Sequence, residues 1–425
     1  MRRASANPAL VFDCQYNGLS IIQELGRHGV KVYAVDSARS VGTYSRYATF
    51  WRCPDPLFDE KSFIQFLLDK GPCFDQRPVL FPTNDHWAAA ISKHRDQLER
   101  YYIPCVAKWE SVQLLVNKDR FYAWAMERGY PVPRAYSLRE LVEAQDVSFP
   151  VVAKPRYRRM SGLTGKNADF FAQMDAHRMV KLDAPDSLRH FISTHEDLIP
   201  HMVFLEYVPG MADTMYTIGI YADQRSLTLG VFTGRKVRGF PPDIGDCMVG
   251  QAERLPTELV LMANRIVEDL GYHGIAEFEF KKAPNSTQFK LIEINPRSWS
   301  WIGITPACGV SLPWIAYQDL TMNHGVTYSE SAVDHGDIKW IRLLDDFRNC
   351  VFSSKNLGFP QFSMNPRQWW SSLRAKRKIW AEFASDDPLP GMYALLKSAR
   401  GGFGWISTYI RARNHNDREE GCGHR

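Results

Sequence analysis

Two neighbouring segments of the sequence carry acidic and amide side chains at a spacing that could hold a metal ion. In residues 274–280 (Gly-Ile-Ala-Glu-Phe-Glu-Phe), strict alternation places Glu277 and Glu279 on one face of a strand. In residues 289–297 (Phe-Lys-Leu-Ile-Glu-Ile-Asn-Pro-Arg), Glu293 and Asn295 share a face for the same reason. The short connector between the segments predicts an antiparallel hairpin that brings Glu279, Glu293 and Asn295 together.

The donor set at this hairpin is typical of a magnesium site. Hard oxygen ligands with room for water and phosphate oxygens are what Mg²⁺ requires, and like-charged carboxylates facing one another destabilise a plain sheet. The alternative is a solvated acidic face, which the apolar flanking residues disfavour. Arg297, just beyond Asn295, is placed to meet a transferring phosphoryl group or an oxyanion. Its alternative is a salt bridge to a neighbouring carboxylate.

Cationic residues elsewhere in the chain favour an anionic ligand. Lys154 ends the apolar segment 149–155, and a lysine among such neighbours must reach an anion or water. The following basic loop, residues 156–167, contains Ser161 and Gly162 and is predicted to close over phosphate groups. An ordinary snorkelling lysine and a solvated surface loop are the alternatives.

A second cationic pair lies in residues 234–242. Extended geometry would place Lys236 and Arg238 on one face, where they could bind a carboxylate substrate or its phosphorylated form. The alternative is a basic surface turn, since charged residues are normally exposed.

The elements that must position these residues begin with a parallel α/β layer. Residues 9–36 follow a strand, turn, helix, strand pattern, and a third strand at 78–82 ends in Thr83-Asn84-Asp85 before a helix from about His86. Polar residues at the carboxyl end of such a strand either bind a ligand or cap the helix. The first turn lacks Gly-x-Gly-x-x-Gly, which argues against a dinucleotide site.

Length, charge and cysteine spacing bound the class of protein. The 425 residues suffice for two or three subdomains, and a net charge of +5 fits small anionic substrates rather than nucleic acid. The eight cysteines form no Cys-x-x-Cys pair, which favours free thiols in a reducing compartment. Without a signal peptide or a long apolar run, we expect a cytoplasmic protein with no stable membrane insertion.

The order of these motifs resembles the ATP-grasp superfamily and, within it, the carboxylate-amine ligase branch of D-aspartate ligase-like enzymes. The resemblance covers roughly residues 9–330, and its most specific part is Glu293-Ile294-Asn295-Pro296-Arg297 with Glu279 upstream. It implies an α/β fold with three parts: an N-terminal Rossmann-like domain (1–112), a two-lobed ATP-grasp domain (113–330) and a helical C-terminal extension (331–425).

The resemblance also implies roles for individual residues. The cofactors implied are ATP and Mg²⁺, with Mn²⁺ as a substitute. The residues implied to bind ATP are Lys118, Lys154, Ser161, Gly162, Glu206, Tyr207, Val208 and Asp213. Glu279, Glu293 and Asn295 are implied to hold the metal. From their positions and charge, we expect Arg297, Lys236 and Arg238 to serve catalysis. The phosphate loop has fewer glycines than is usual in the family.

The implied function is an ADP-forming ligase that activates a carboxylate as an acyl phosphate and joins it to an amine. Its partners would be small-molecule carboxylates and amines. The alternatives are a phosphotransferase and a catalytically silent nucleotide-binding protein. The Trp-rich extension, in which helical spacing recurs, would pack over the site, mediate a homodimer or touch a membrane surface.

Overall fold

The computed structural model describes residues 6–143, 146–158, 179–242, 245–322, 326–331, 337–353 and 359–401. The strands are β1 (Ala9–Phe12), β2 (Val32–Asp36), β3 (Ala48–Arg52), β4 (Val79–Pro82), β5 (Ile103–Pro104), β6 (Ala135–Tyr136), β7 (Val151–Pro155), β8 (Val180–Leu182), β9 (Met202–Glu206), β10 (Met215–Ala222), β11 (Thr228–Phe240), β12 (Asp246–Ala252), β13 (Gly274–Lys282), β14 (Phe289–Asn295), β15 (Ser329–Glu330), β16 (Ile338–Ile341) and β17 (Arg377–Trp380).

The α-helices of the described residues are α1 (Tyr16–Arg27), α2 (Pro56–Lys70), α3 (Asp85–Lys93), α4 (Arg95–Leu98), α5 (Trp109–Val116), α6 (Lys118–Glu127), α7 (Leu138–Glu143), α8 (Pro185–Thr194), α9 (Thr257–Asp269), α10 (Leu312–Thr321), α11 (Leu343–Arg348), α12 (Pro366–Ser372) and α13 (Leu389–Gly401). Short 3₁₀ helices span Val41–Tyr44, Gly71–Cys73, Glu196–His201, Ala212–Thr214, Ile302–Cys308 and Pro360–Phe362, and a π-helical turn spans Asn349–Ser353. None of the helices in this part of the chain is both long and apolar enough to cross a bilayer.

The N-terminal sheet is parallel, as the sequence predicts. Its order is β3-β2-β1-β4-β5, and β1 is paired on both sides. Strand β1 is buried along its whole length, which is typical of a parallel sheet covered on both faces. Strand β3 and the short β5 were not predicted from the sequence; β3 is an edge strand that is only partly buried.

Two further sheets follow along the chain. A small antiparallel sheet has the order β6-β9-β7-β8. A large sheet has the order β14-β13-β10-β11-β12-β16-β17, and β15 pairs with β11. The mixture of a parallel layer with two largely antiparallel sheets confirms the α/β class predicted from the sequence.

The C-terminal segment is not only helical. Strands β16 and β17 extend the large sheet beyond β12, with Val249 opposite Ile341 and Ile338 opposite Arg377. The tryptophans that suggested a helical extension by their spacing include Trp340, which lies in β16 and is fully buried. The described residues of the C-terminal segment, 337–353 and 359–401, therefore complete the sheet as well as covering it.

Residues 111–128 have a helical spacing throughout, which predicts one helix, but they belong to two helices, α5 and α6. Asn117 has extended backbone between α5 and α6, and its side-chain oxygen accepts from the Arg120 N–H at 3.2 Å. Asparagine is a favoured N-cap, so the interruption follows from local chemistry. As a result Lys118 stands in the first turn of α6 rather than in the middle of a helix.

Two tryptophans after β14 belong to the core. Trp299 and Trp301 are almost completely buried, and both pack against Phe232 of β11. A Cβ at Gly234 would lie 2.8 Å from the Trp301 ring, so a glycine there allows the close approach. Trp299 and Trp301 thus pack the segment after the acidic hairpin against the face of the large sheet.

Candidate functional site

A cleft with about 1250 Å³ of empty space lies beside the two antiparallel sheets. Apolar side chains from both sheets and from α5 and α6 line part of it, including Leu115, Val116, Phe121, Tyr122, Val152, Leu205, Met215 and Ile292. Charged and polar side chains line the rest, including Asp85, Lys118, Lys154, Arg158, Glu206, Lys281, Glu279, Glu293 and Asn295. An apolar slot with convergent charges is typical of a site for a ligand that joins a ring to an anionic group.

The acidic hairpin forms one wall of this cleft. Strands β13 and β14 are antiparallel, with Glu279 directly opposite Glu293 and Glu277 opposite Asn295. The register shifts between Glu279 and Phe280, because Phe280 pairs with Leu291 and β14 therefore carries one extra residue, Ile292, at this point. The hairpin predicted from the sequence is therefore present, and it places Glu279, Glu293 and Asn295 on the cleft wall.

Lys236 neutralises one of the paired carboxylates. It reaches from β11 across β10 to Glu279, with 3.0 Å between Nζ and Oε1, and its side chain is 8% exposed. Burial disfavours the ammonium, but the carboxylates of Glu279 and Glu277 outweigh burial and hold the pKa of Lys236 above its ordinary value. Lys236 therefore stays charged beside Glu279.

Glu277, on the same strand as Glu279, is in a different electrostatic state. Burial, followed by the charge on Glu279, raises its pKa to about 8. Thr217 Oγ1 donates to one of its oxygens at 3.2 Å and Asn295 Nδ2 donates to the other at 3.0 Å. The raised pKa reduces the negative charge that Glu277 adds beside Glu279 and Glu293.

Arg297 connects this hairpin to the N-terminal domain. Its Nε donates to Asp85 at 2.7 Å, Nη1 to the Ser298 carbonyl at 2.8 Å and Nη2 to Asn295 Oδ1 at 2.9 Å. The side chain is 5% exposed. The salt bridge considered as an alternative at the sequence level is thus present, and its partner comes from the start of α3, more than 200 residues earlier in the chain.

Asp85 is strongly acidic because of its neighbours. Burial alone would raise its pKa, but the cations Arg297, Arg158 and Lys118 outweigh burial and lower the pKa to about 2. Asp85 also lines the cleft. The sequence marked Thr83-Asn84-Asp85 as a possible ligand segment but gave Asp85 no role; Asn84 caps α3, as its residue type predicts.

The hairpin residues fit a divalent cation. Within the part of the chain that the structure describes, no three His, Cys, Asp or Glu side chains form a metal-binding group, so a metal would rest on two carboxylates and an amide. Glu279 and Glu293 supply hard oxygens on the cleft wall. Asn295 Oδ1 already accepts from Arg297, but a carbonyl oxygen has a second lone pair for a metal.

Among the described residues, four cations line the cleft, and three of them come from the start of α6 and from the end of β7 and just beyond it. Lys154 ends β7, Arg158 follows shortly after it, and Lys118 opens α6. The Lys118 backbone N–H donates to the Arg156 carbonyl at 2.9 Å, which ties the start of α6 to the end of β7. Lys118 and Lys154 were predicted from the sequence, whereas Arg158 was noted only as part of a basic loop.

The segment Glu206-Tyr207-Val208 lines the cleft where β9 ends. Both Glu206 oxygens accept from Lys290 Nζ at 2.5 Å, and one also accepts from the Arg134 N–H at 3.1 Å. Lys181 and Lys281 lie over the Tyr207 ring, 5.0 and 5.6 Å from its centroid. These contacts fix a segment that the resemblance assigns to ATP binding.

Two predicted site residues lie elsewhere. Arg238 and Asp213 line a second, smaller pocket against the C-terminal segment. Val237 sits at a break in the β11–β12 register, so Arg238 does not continue the alternation of Lys236. Arg238 instead pairs with Asp346 through Nε at 2.9 Å and Nη2 at 2.7 Å. The predicted cationic pair of Lys236 and Arg238 is therefore wrong.

Ser161 and Gly162, predicted to contact phosphate, lie outside the described residues.

Comparison with known sequences supports the resemblance drawn from the motifs. No family model matches the chain. A D-aspartate ligase from Enterococcus faecium (strain Aus0004) is 22% identical over 280 residues, which are 63% of this chain. The chain spans 64% of the length of that enzyme.

Comparison with solved structures identifies the fold. N5-carboxyaminoimidazole synthetase from Staphylococcus aureus has a TM-score of 0.57 at 15% identity and covers 77% of this chain and 80% of its own. L-amino acid ligase from Bacillus licheniformis has a TM-score of 0.52 at 17% identity, with 75% of each chain covered. A biotin carboxylase from Campylobacter jejuni, solved as a complex with β,γ-ATP, has a TM-score of 0.55 at 14% identity and covers 75% of this chain and 72% of its own.

Proposed function

The chain has the ATP-grasp fold, and from this premise we propose that it is an ATP-dependent ligase that joins a carboxylate to an amine and releases ADP and phosphate. The observation that carries the proposal is the pairing of Glu279 with Glu293 on the wall of a cleft that Lys118 and Lys154 also line. The similarity to D-aspartate ligase supports the bond that is formed.

ATP would occupy the large cleft. The apolar side chains Val152, Leu205 and Met215, together with the segment Glu206–Val208, suit the adenine ring. Lys118, Lys154 and Arg158 suit the phosphates because they place positive charge along one side of the cleft. Asp213, which the resemblance assigns to ATP binding, is not among the cleft residues and is left out of this proposal.

Glu279, Glu293 and Asn295 would hold Mg²⁺. The bound cation would supply positive charge that stabilises the negative charge developing during phosphoryl transfer. Mn²⁺ suits the same oxygen donors. Lys236 and Arg297 keep the first and the last of these ligands in place through the contacts described above.

The proposed reaction needs only ATP, a carboxylate and an amine. A substrate carboxylate oxygen bonds to the γ-phosphorus of ATP as the bond to the β–γ bridging oxygen breaks, which yields an acyl phosphate and ADP. The amine nitrogen then bonds to the carbonyl carbon, phosphate leaves with the C–O bond pair, and the nitrogen loses a proton. Lys118 and Lys154 line the cleft, where cations would offset charge on the phosphoryl group, and Lys236 would act through its pair with Glu279.

Arg297 has a more limited part in this scheme than its motif suggests. Three of its five N–H groups are engaged by Asp85, Ser298 and Asn295, so two N–H groups remain for an oxyanion. We propose that it mainly holds Asn295 and Asp85 on the cleft wall. Lys236 then contributes most of the positive charge at the far side of the hairpin.

The test is release of ADP and phosphate by the purified protein with a matrix of carboxylates and amines, followed by mass spectrometry of the product. We expect release that requires both a carboxylate and ATP, and a product whose mass equals acid plus amine minus water. A stable phosphorylated product without any amine dependence would instead identify a phosphotransferase. Nucleotide binding without phosphate release in any mixture would contradict both activities.

A homodimer and a cytoplasmic location stay predictions from the sequence.

A further inference from the structure

A row of aromatic side chains, none of which lines the large cleft, runs through the C-terminal segment. Successive ring centroids lie 5.8, 4.8, 5.9 and 6.5 Å apart in the order Phe352, Phe347, Trp369, Trp370 and Trp380. Trp369, in the middle of the row, is buried in a small apolar cluster. Phe352 and Trp370 are instead 59% and 55% exposed. Packing explains the buried middle of the row, but it does not explain the two exposed rings.

Basic residues are concentrated in the part of the chain that carries Trp370. Residues 366–380, which span α12 and β17, contain no acidic residue and five cations: Arg367, Arg374, Lys376, Arg377 and Lys378. Lys378 Nζ lies over the Trp370 ring, 5.3 Å from its centroid. Within the described part of the chain, Lys376 pairs with Asp337 at 2.9 Å and the other four cations form no ion pair. The exposed tryptophan therefore lies in a region of uncompensated positive charge.

The pKa of a neighbouring lysine reflects this positive charge. Lys339 of β16 lies opposite Lys378 of β17, and its Nζ donates to the Ser372 carbonyl at 3.1 Å. Burial is the largest cause that lowers the pKa of Lys339. The next causes are three cationic neighbours: Arg238, Lys378 and Arg235. An anionic partner at this surface would offset the repulsion among these cations.

The position of β17 at the edge of the large sheet explains only part of this pattern. Basic side chains on an edge strand hinder its pairing with another chain, and this accounts for Arg377 and Lys378. It does not account for Arg367 and Arg374, which lie outside the strand. Nor does it account for the exposure of Trp370, since an exposed aromatic ring favours association.

Exposed tryptophan beside lysine and arginine is typical of proteins that bind at the interface of a lipid bilayer. The ring lies at the level of the headgroups, and the cations are attracted to anionic lipids. Helix α13, which contacts the Phe347-bearing helix α11, adds apolar surface. Its aliphatic side chains that are 48–60% exposed are Leu389, Met392, Leu395 and Leu396.

Two other partners fit this surface less well. Nucleic acid would use the cations and stack bases on the aromatic rings, but the exposed aliphatic side chains of α13 add nothing to base stacking. In a two-fold symmetric dimer, the surface would face its own copy, so its cations would repel one another. A bilayer with anionic lipids matches both the charge and the apolar side chains.

We propose that the C-terminal segment binds the surface of a bilayer that contains anionic lipids. The residues that make the contact form a basic–aromatic surface: Phe352, Arg367, Trp370, Arg374, Arg377 and Lys378. The two rings enter the interface, and the cations bind headgroup phosphates. This inference goes beyond the ligase proposal and does not depend on it.

The experiment is flotation of the full chain with two kinds of vesicle. One is phosphatidylcholine alone, and the other contains about 30% phosphatidylglycerol as the anionic lipid. In about 0.1 M NaCl, we expect at least about tenfold stronger partitioning onto the anionic vesicles, and a marked fall at about 0.5 M because salt screens the attraction. Equal partitioning onto the two vesicles, or no binding to either, would overturn the proposal.

The double variant Arg374→Gln with Arg377→Gln tests the charge. It should weaken partitioning at least about tenfold, since each cation near an anionic surface contributes about fivefold. Arg374→Lys with Arg377→Lys keeps the charge and should keep the binding. The matched control is Arg254→Gln with Arg265→Gln, which removes the same charge from exposed positions elsewhere. An equal loss in this control, or no loss in the test variant, would overturn the proposal.

Trp370→Ala tests the aromatic part of the surface and should weaken partitioning about fivefold or more, because the apolar ring no longer enters the interface. Phe58→Ala is its control, since Phe58 is 79% exposed on α2 in the N-terminal domain. We expect the control to bind as the unchanged protein does. Unchanged binding by Trp370→Ala would overturn the proposed contact. The thermal midpoint and nucleotide affinity of each variant verify that it is folded.

Two parallel measurements identify the other partners. Gel-shift assays use single-stranded and duplex DNA, and sedimentation velocity follows self-association. DNA binding that Arg374→Gln with Arg377→Gln weakens, without a preference for anionic vesicles, would overturn the proposal in favour of nucleic acid. A dimer that Trp370→Ala dissociates, again without vesicle binding, would overturn it in favour of a second copy of the chain.

Discussion

Arg297 and Arg238 are alike in bonding and differ in what their partners touch. Both are largely buried, both form an ion pair with an aspartate, and both donate from all three nitrogens. The partners of Arg297, Asp85 and Asn295, line the large cleft. The partners of Arg238, Asp346 and Ser372, belong to the C-terminal segment. The role of each arginine is therefore better inferred from where its partners lie in the structure than from the sequence motif around it.

The comparison implies that changes around Arg297 act on turnover and changes around Arg238 act on folding.

The largest effect is expected at the acidic hairpin itself. Glu293→Gln removes one of the two opposed carboxylates and should lower phosphate release by at least about 100-fold, since electrostatic stabilisation of the transferred group is lost. The measurement is the steady-state rate of ADP release. Glu330→Gln, an exposed position in β15, is the control, and an undiminished rate in Glu293→Gln would refute the metal assignment.

Arg297→Lys should lower kcat by roughly 10-fold to 100-fold and leave nucleotide affinity within a few-fold of the original. A lysine keeps the charge but cannot bond Asp85, Ser298 and Asn295 together. Rapid-quench kinetics and a nucleotide titration measure the two quantities separately. Loss of nucleotide affinity with unchanged kcat would mean that Arg297 binds ATP instead of positioning Asn295.

Arg238→Gln should destabilise the folded protein by about 3 kcal/mol, because it leaves the Asp346 carboxylate buried without its cation. Chemical denaturation measures this effect, and kcat should be unchanged once it is expressed per folded molecule. The double variant Arg238→Gln with Asp346→Asn should recover part of the lost stability. A fall in kcat without loss of stability would restore the catalytic role that the sequence predicted for Arg238.

The smallest effect is expected at Glu382, a buried carboxyl that accepts from the Leu343 and Leu344 N–H groups at 3.0 and 3.3 Å. Burial raises its pKa to about 7, although the Leu343 N–H and Arg342 oppose the shift. Because the pKa of Glu382 in the folded protein lies above its ordinary value of 4.5, its protonated form favours the folded state. This stabilisation is fully present below pH 4.5 and is lost as the pH rises through about 7.

Glu382→Gln should remove this dependence, so its stability relative to the unchanged protein should improve by about 2 kcal/mol between pH 5 and pH 8. Denaturant unfolding at both pH values gives the difference. An equal change in both proteins over that range would show that Glu382 does not titrate there.

Much of the fold was predictable because local patterns determine it. Strict alternation gave the β13–β14 hairpin, and short buried strands gave the parallel layer around β1. Strand β3 was missed because it is a half-buried edge strand without clear alternation, and the break at Asn117 was missed because the helical spacing runs through it. Strands β16 and β17 were missed because their tryptophans fit a helical spacing as well.

The candidate site was predictable where its residues are close in sequence. Glu279, Glu293 and Asn295 come from one hairpin, and Lys118 and Lys154 follow from local motifs. The Arg297–Asp85 pair joins residues more than 200 positions apart, which no local pattern reveals. The misplacement of Arg238 has a simple physical cause, since the register slip at Val237 breaks the alternation on which its prediction depended.

Trapping with hydroxylamine tests the central claim most directly. The protein is incubated with ATP, Mg²⁺, a carboxylate that supports phosphate release, and hydroxylamine in place of the amine. We predict a hydroxamate that forms in proportion to ADP and is absent with Glu293→Gln. ADP formation together with a stable phosphorylated product and no hydroxamate would contradict activation of the carboxylate as an acyl phosphate.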